Sequence, residues 1–181
     1  MDCFSKVRDN NLSFGACFLI KSDKSSNEST ADWYTSSIVS DLFDTYLSFS
    51  KSFSFGIAKR SHPHVDIANL TKDGAKEIYK EHYWDKNKVE SLSEELRHIY
   101  FDMCVNQGRG RAVKILQRAA NAKGAGLKVD GGMGPKTIAG LKGVELDRVR
   151  AYRVKYYADL VTRKPDLEKF YFGWFRRALE V

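Results

Sequence analysis

The chain has 181 residues, is 43% hydrophobic and 13% aromatic, and carries a formal net charge of +7 with a pI near 9.2. That length and apolar content support a buried core and one domain, or one with a small appendage, and exclude a disordered polymer. The basic balance points to an anionic partner, for which nucleic acid, acidic membrane and bacterial cell wall all qualify, while no apolar run reaches the roughly 20 residues of a membrane span.

Residues 1–52 form an atypical segment rich in Ser and Phe, with an expectation of disorder. The stretch "KSDKSSNEST" has loop composition, and "SSIVSDLFDTYLSF" reads either as a helix with Ile38, Leu42, Tyr46 and Phe49 on one side or as a strand pair. The apolar "FGACFLI" at 14–20 is short, follows mixed charges and is closed by Lys21 without a small-residue cleavage site, so no signal peptide is expected and the chain is expected in the cytoplasm when made. Cys3, Cys17 and Cys104 are scattered and odd in number, which suits neither a disulfide framework nor a metal-ligand spacing.

From about residue 53 basic residues accumulate and helical periodicity takes over. "LTKDGAKEIYKEHYW" offers Thr71 as N-cap and Ala75, Ile78, Tyr79, His82 and Tyr83 at helical spacing. "SLSEELRHIYFDMCVNQG" opens with a capping-box pattern from Ser91 to Glu94, repeats Leu96, Ile99, Tyr100 and Met103, and meets a C-cap at Gly108. Asp102 and Asn106, four residues apart, share one face of that helix and could hold a sugar or a water, or form a buried polar pair that satisfies backbone or loop groups. "RAVKILQRAANAK" places Val113, Leu116 and Ala120 on one face and ends at Gly124, while Arg109, Arg111, Lys114 and Arg118 make its start and outer face basic.

"KVDGGMGPKT" at 128–137 is neither a phosphate cradle nor a calcium loop. Pro135 separates Gly134 from Lys136, where a Walker loop needs glycine directly before Lys-Ser/Thr, and after Asp130 no carboxylate follows until Glu145. The residues suit a structural turn. Asp130 can bond backbone N–H groups, the glycines, Gly131 among them, allow positive φ, Gly134 and Pro135 open a short helix, and Thr137 can brace its start. Two more helices follow. "ELDRVRAYRVKYYADL" carries Leu146, Val149, Tyr152, Tyr156 and Leu160, and "DLEKFYFGWFRRAL" carries an apolar stripe of Leu167, Phe170, Tyr171, Trp174, Phe175 and Ala178, with Trp174 expected as a core anchor. His62 and His64 flank Pro63 without a third ligand, so no metal site is expected, and no cofactor is implied.

In order, "FGIAKRSHPHVDIANLTKDGAKEIYKEHYWDK", "FDMCVNQGRGRAVKILQRA", "VDGGMGPKT" and "EKFYFGWFRR" closely resemble the lysozyme-like N-acetylmuramidases of glycoside hydrolase family 108, which include phage endolysins and secretion activator proteins. The resemblance covers about residues 53–181. It implies a mainly α fold, with a lysozyme-like helical region over 53–120 and a predicted peptidoglycan-binding helical region over 121–181. It further implies hydrolysis of the β-1,4 bond between N-acetylmuramic acid and N-acetylglucosamine, with peptidoglycan as partner rather than nucleic acid, and action at the wall after release or export. Tyr83, Trp84, Asp102, Asn106 and Gln107 are the substrate-binding candidates. The family's acid is a glutamate in a Glu-Gly-Gly-Tyr motif upstream of the "FGI" segment, where this chain has Val39 and Ser40. Asp41, Asp44 and Asp102 are the remaining candidates for a proton donor, and a peptidoglycan-binding remnant without catalysis is the alternative reading.

Overall fold

The computed structural model describes residues 53–181. Glu28, Asp41, Asp44 and the helix-or-strand-pair stretch before residue 51 lie outside the described residues. A minimal antiparallel hairpin comes first, β1 (Phe53–Ser54) and β2 (Ile57–Ala58), with Phe53 opposite Ala58 and Ser54 opposite Ile57. Both residues between the strands have positive φ, 49° at Phe55 and 76° at Gly56, as a two-residue turn with the right twist demands. A Cβ at Gly56 would lie 2.6 Å from the Tyr79 hydroxyl. That hydroxyl donates to the Phe55 carbonyl at 3.1 Å and fastens the hairpin to the next helix.

Helix α1 (Lys72–Tyr79) starts at Thr71, whose hydroxyl accepts the Gly74 N–H at 3.1 Å, as its sequence leads one to expect. It does not run regularly to Trp84. Beyond Tyr79 the chain widens into π-helical turns over Lys80–Asp85, which carry His82, Tyr83 and Trp84. Helix α2 (Glu94–Gln107) is preceded by Ser93, not by the expected capping Ser91. Ser91 lies in a 3-10 turn and donates to the Lys88 carbonyl at 2.6 Å, because Leu92 is drawn into the core in extended conformation before the helix can begin.

Gly108, at φ 81° and ψ 146°, ends α2 and at once precedes α3 (Arg109–Asn121), so one residue joins two helices. Their facing residues, among them Leu96, Ile99, Tyr100 and Met103 on α2 with Val113, Leu116 and Ala120 on α3, form the centre of the main core. Helix α4 (Pro135–Gly140) is short; α5 (Leu146–Arg163) packs on α3 and adds Val149 to that core. A 3-10 turn over Pro165–Phe170 leads into α6 (Tyr171–Glu180), which returns along α5. Tyr157 and Trp174 stack there with ring centroids 5.1 Å apart, and Ala178 completes a second cluster. The expected stripe is narrower than its sequence suggests: Phe170 and Phe175 are each 37% exposed. The helix begins only at Tyr171, and its turn aims Trp174, Arg177 and Ala178 inward. The described chain is thus mainly α, with one two-stranded hairpin.

Candidate functional site

The π-helical turns after α1 project a group of rings toward the loop that follows the hairpin. Tyr83 lies 5.5 Å from Tyr79 between ring centroids, and its hydroxyl stands 3.4 Å from His62 Nε2. Trp84 leans on Phe101 at 5.4 Å, and its indole N–H donates to Glu90 at 3.0 Å, while Glu90 also pairs with Arg97 at 3.1 Å. Both residues are half-buried, each seated on the core with part of its surface open. Burial pushes the Tyr83 phenol above its ordinary range, so it stays neutral and able to donate at any physiological pH. This arrangement can offer aromatic surface and hydroxyl or indole edges to a polar, flat ligand such as a sugar ring.

His62 and His64 do have a third neighbour, which corrects the expectation that they stand as a pair. His82 approaches both, and one ring nitrogen from each of the three lies within 4.8 Å of the others. His62 is buried; burial first, then His82 and His64, lower its pKa and favour the neutral imidazole.

Asp102 is corrected more sharply, from a candidate donor or sugar ligand to an interior ion. It is 2% exposed and sits between α2, α5 and α6. Arg153 Nη2 donates to Oδ2, Arg177 Nη2 donates to Oδ1, and Arg177 Nε reaches both oxygens at 3.0 and 3.2 Å. Burial opposes its ionisation, but the Arg153 and Arg177 guanidiniums outweigh that and hold the carboxyl below its ordinary value. A group held ionised and enclosed in this way cannot deliver a proton to a substrate. Asn106 donates to the Asp102 carbonyl at 2.8 Å and to Oδ1 at 3.0 Å, so it serves the same interior cluster. Gln107 is buried, and neither polar atom of its side chain has a partner among the described residues.

A general acid for glycoside hydrolysis needs a carboxyl whose surroundings raise its pKa. Among the described residues, the carboxyls clearly displaced from their ordinary values, at Asp66, Asp73, Asp102, Asp130 and Glu145, are all displaced downward.

The glycine-rich turn is organised by a residue that sequence reasoning missed. Gln117, buried on α3, donates to Asp130 Oδ1 at 2.9 Å and Thr137 Oγ1 at 3.2 Å, and accepts the Gly131 N–H at 2.9 Å. Asp130 also accepts the Gly132 N–H at 2.8 Å, and Thr137 donates to the Gly132 carbonyl at 2.8 Å. Gly131 has φ +82°, and a Cβ there would lie 2.9 Å from the Gly110 carbonyl oxygen. Gly134 precedes α4 in extended conformation and Pro135 opens it. The turn is thereby fixed to the basic start of α3. Arg109, Arg111, Lys114 and Arg118 join no ion pair among the described residues, although Arg111 also donates to the Gln107 carbonyl at 3.1 Å. No described helix is long and apolar enough to cross a membrane.

The described chain carries an aromatic face on its first region and a basic, glycine-turned region after it, and comparison with known families divides it at nearly the same place. The family model "Glycosyl hydrolase 108" matches residues 50–108, and "Predicted Peptidoglycan domain" matches residues 111–179. The chain is thus similar to the glycosyl hydrolase 108 family over residues 50–108 and to the predicted peptidoglycan domain over residues 111–179, one following directly on the other. Nine solved chains match, among them the structure of Brucella abortus SagA, at 28% sequence identity and a TM-score of 0.51. That match covers 68% of this chain and spans 65% of the length of the SagA chain. No curated protein matches the sequence.

Proposed function

We propose that this protein acts on peptidoglycan, and that residues 53–181 supply recognition of the glycan rather than the acid for its hydrolysis. The observation that carries the reading is the tandem of a glycosyl hydrolase 108 region and a predicted peptidoglycan domain. Tyr83 and Trp84 are the sugar-stacking surface in this reading, and the basic face of α3 meets anionic groups of the wall. The bond addressed is the β-1,4 link from N-acetylmuramic acid to N-acetylglucosamine. Synthesis in the cytoplasm with action at the wall after release or export belongs to the same proposal.

Hydrolysis is the finer question. Of the described carboxyls with a clearly displaced pKa none is raised as a donor requires, Asp41 and Asp44 are the candidates nearest the family's acid position, and general acid catalysis contributes about a hundred- to ten-thousandfold. The expected result is retention of the protein on insoluble cell walls, weakened by salt and by Trp84→Ala, with little or no loss of turbidity in a wall suspension. Absence of retention even at low salt would remove the recognition reading. Robust lysis abolished by Asp41→Asn or Asp44→Asn would instead name the acid and restore a full muramidase.

A further inference from the structure

Three of the four histidines in the chain meet at one place. His62 and His64 come from the loop after β2, and His82 comes from the π-helical turns after α1, so the group joins two segments separated by a whole helix. Ring centroids are 5.1 Å apart for His62 and His82, 6.3 Å for His62 and His64, and 6.5 Å for His64 and His82. The interplanar angles of 63°, 73° and 52° show tilted rings rather than a parallel stack. We propose that His62, His64 and His82 form a three-imidazole site for a divalent transition ion of the zinc type, leaving one coordination position open.

The donor set selects the class of ion. Neutral imidazole is a borderline-soft nitrogen donor suited to zinc and its neighbours, whereas magnesium and calcium require oxygen ligands. Zinc binds histidine nitrogen at about 2.0–2.1 Å, which places the nitrogens of a tetrahedral site about 3.4 Å apart. One nitrogen from each ring already lies within 4.8 Å of the others, and the remaining contraction falls to the exposed His64 and half-buried His82, while His62 is fixed in the interior.

The surroundings supply groups of the kind that orient metal-bound histidines. The Tyr83 hydroxyl is 3.4 Å from His62 Nε2, and Glu81 Oε2 is 4.0 Å from His82 Nε2. An ion here would tie the 61–64 loop to the turn that carries Tyr83 and Trp84, and so steady the aromatic face. The site stands independently of the peptidoglycan reading, since it rests on ring geometry alone.

The test uses the full chain without a histidine tag, stripped of metal and kept reduced. Calorimetric titration near neutral pH is expected to give one equivalent of tightly bound Zn²⁺ and no saturable Mg²⁺ binding. Cobalt(II) at one equivalent should develop the visible absorption of a low-symmetry, tetrahedral-type site. Loss of a direct ligand should cost more than the roughly ten- to hundredfold typical of an outer partner, so His64→Ala and His82→Gln are each expected to weaken Zn²⁺ by more than about tenfold. His98→Gln should leave the affinity unchanged. His64 is exposed, which keeps that variant informative if His82→Gln fails to fold. Absence of stoichiometric binding, an unchanged affinity in His64→Ala, or binding lost instead with Cys3→Ser and Cys17→Ser would overturn the proposal.

Discussion

Asp102 is the side chain on which most depends, and its setting makes the expected effect of substitution large. Removing one member of a buried ion cluster leaves the others charged and unpaired, which typically costs about 3–5 kcal/mol. Asp102→Asn keeps the shape but strands Arg153 and Arg177, so urea denaturation is expected to show a loss of that order, with an unchanged m-value. Two residues also predict how the protein responds to acid. Burial, with a smaller effect of Arg97, lowers the His98 pKa from 6.5 to about 4. The unfolded chain therefore takes up a proton at this imidazole before the folded one does, and stability should decline as pH falls from about 6.5 toward 4. Asp102 is depressed in the folded state, so its contribution is complete above its ordinary value of 3.8 and is lost only as pH falls through its still lower folded value. A series of denaturation midpoints should thus fall in two stages, and His98→Gln should reduce the first while sparing the second.

At the scale of elements, local signals were legible and those set by tertiary contact were not. Thr71 announces α1 because a threonine before an apolar helical repeat is sufficient in itself. The Ser91 to Glu94 spacing misled because burial of Leu92 extends the chain between them. Nothing in the sequence sets Arg153 and Arg177 apart from the other basic residues, and only the packing of α5 and α6 against α2 brings them to a carboxylate. Likewise, His82 joins His62 and His64 only because the loop after the hairpin folds back on the π-helical turns. Gln117 was hidden for the same reason, since its partners lie 13 to 20 residues away. The turn it holds gives a sharp mutational contrast. Gly131→Ala must force a side chain into left-handed backbone, at roughly 1–2 kcal/mol, and also press it against the Gly110 carbonyl. Gly134→Ala meets nothing within 4 Å and has φ −101°, so it should cost less than about 1 kcal/mol. Thermal denaturation of the two variants tests this, and equal effects would contradict the assigned turn geometry.

Across the whole molecule, the two matched regions share one interior. The main core takes Leu96, Ile99 and Met103 from before Gly108 and Val113, Leu116 and Val149 from after it. Calorimetry should therefore show a single unfolding transition over residues 53–181, with calorimetric and van't Hoff enthalpies in agreement. Two separable transitions would contradict the shared core. The buried ion cluster gives this continuity an evolutionary meaning: Asp102 belongs to the hydrolase-type stretch, and both guanidiniums that neutralise it belong to the peptidoglycan stretch. A recombination event cutting at Gly108 would bequeath one descendant an interior anion and the other two interior cations. The boundary between the two families is thus a seam in description across which neither half can be exchanged without its charge partner, and any successful chimera must carry the acid and the arginines as a single inheritance.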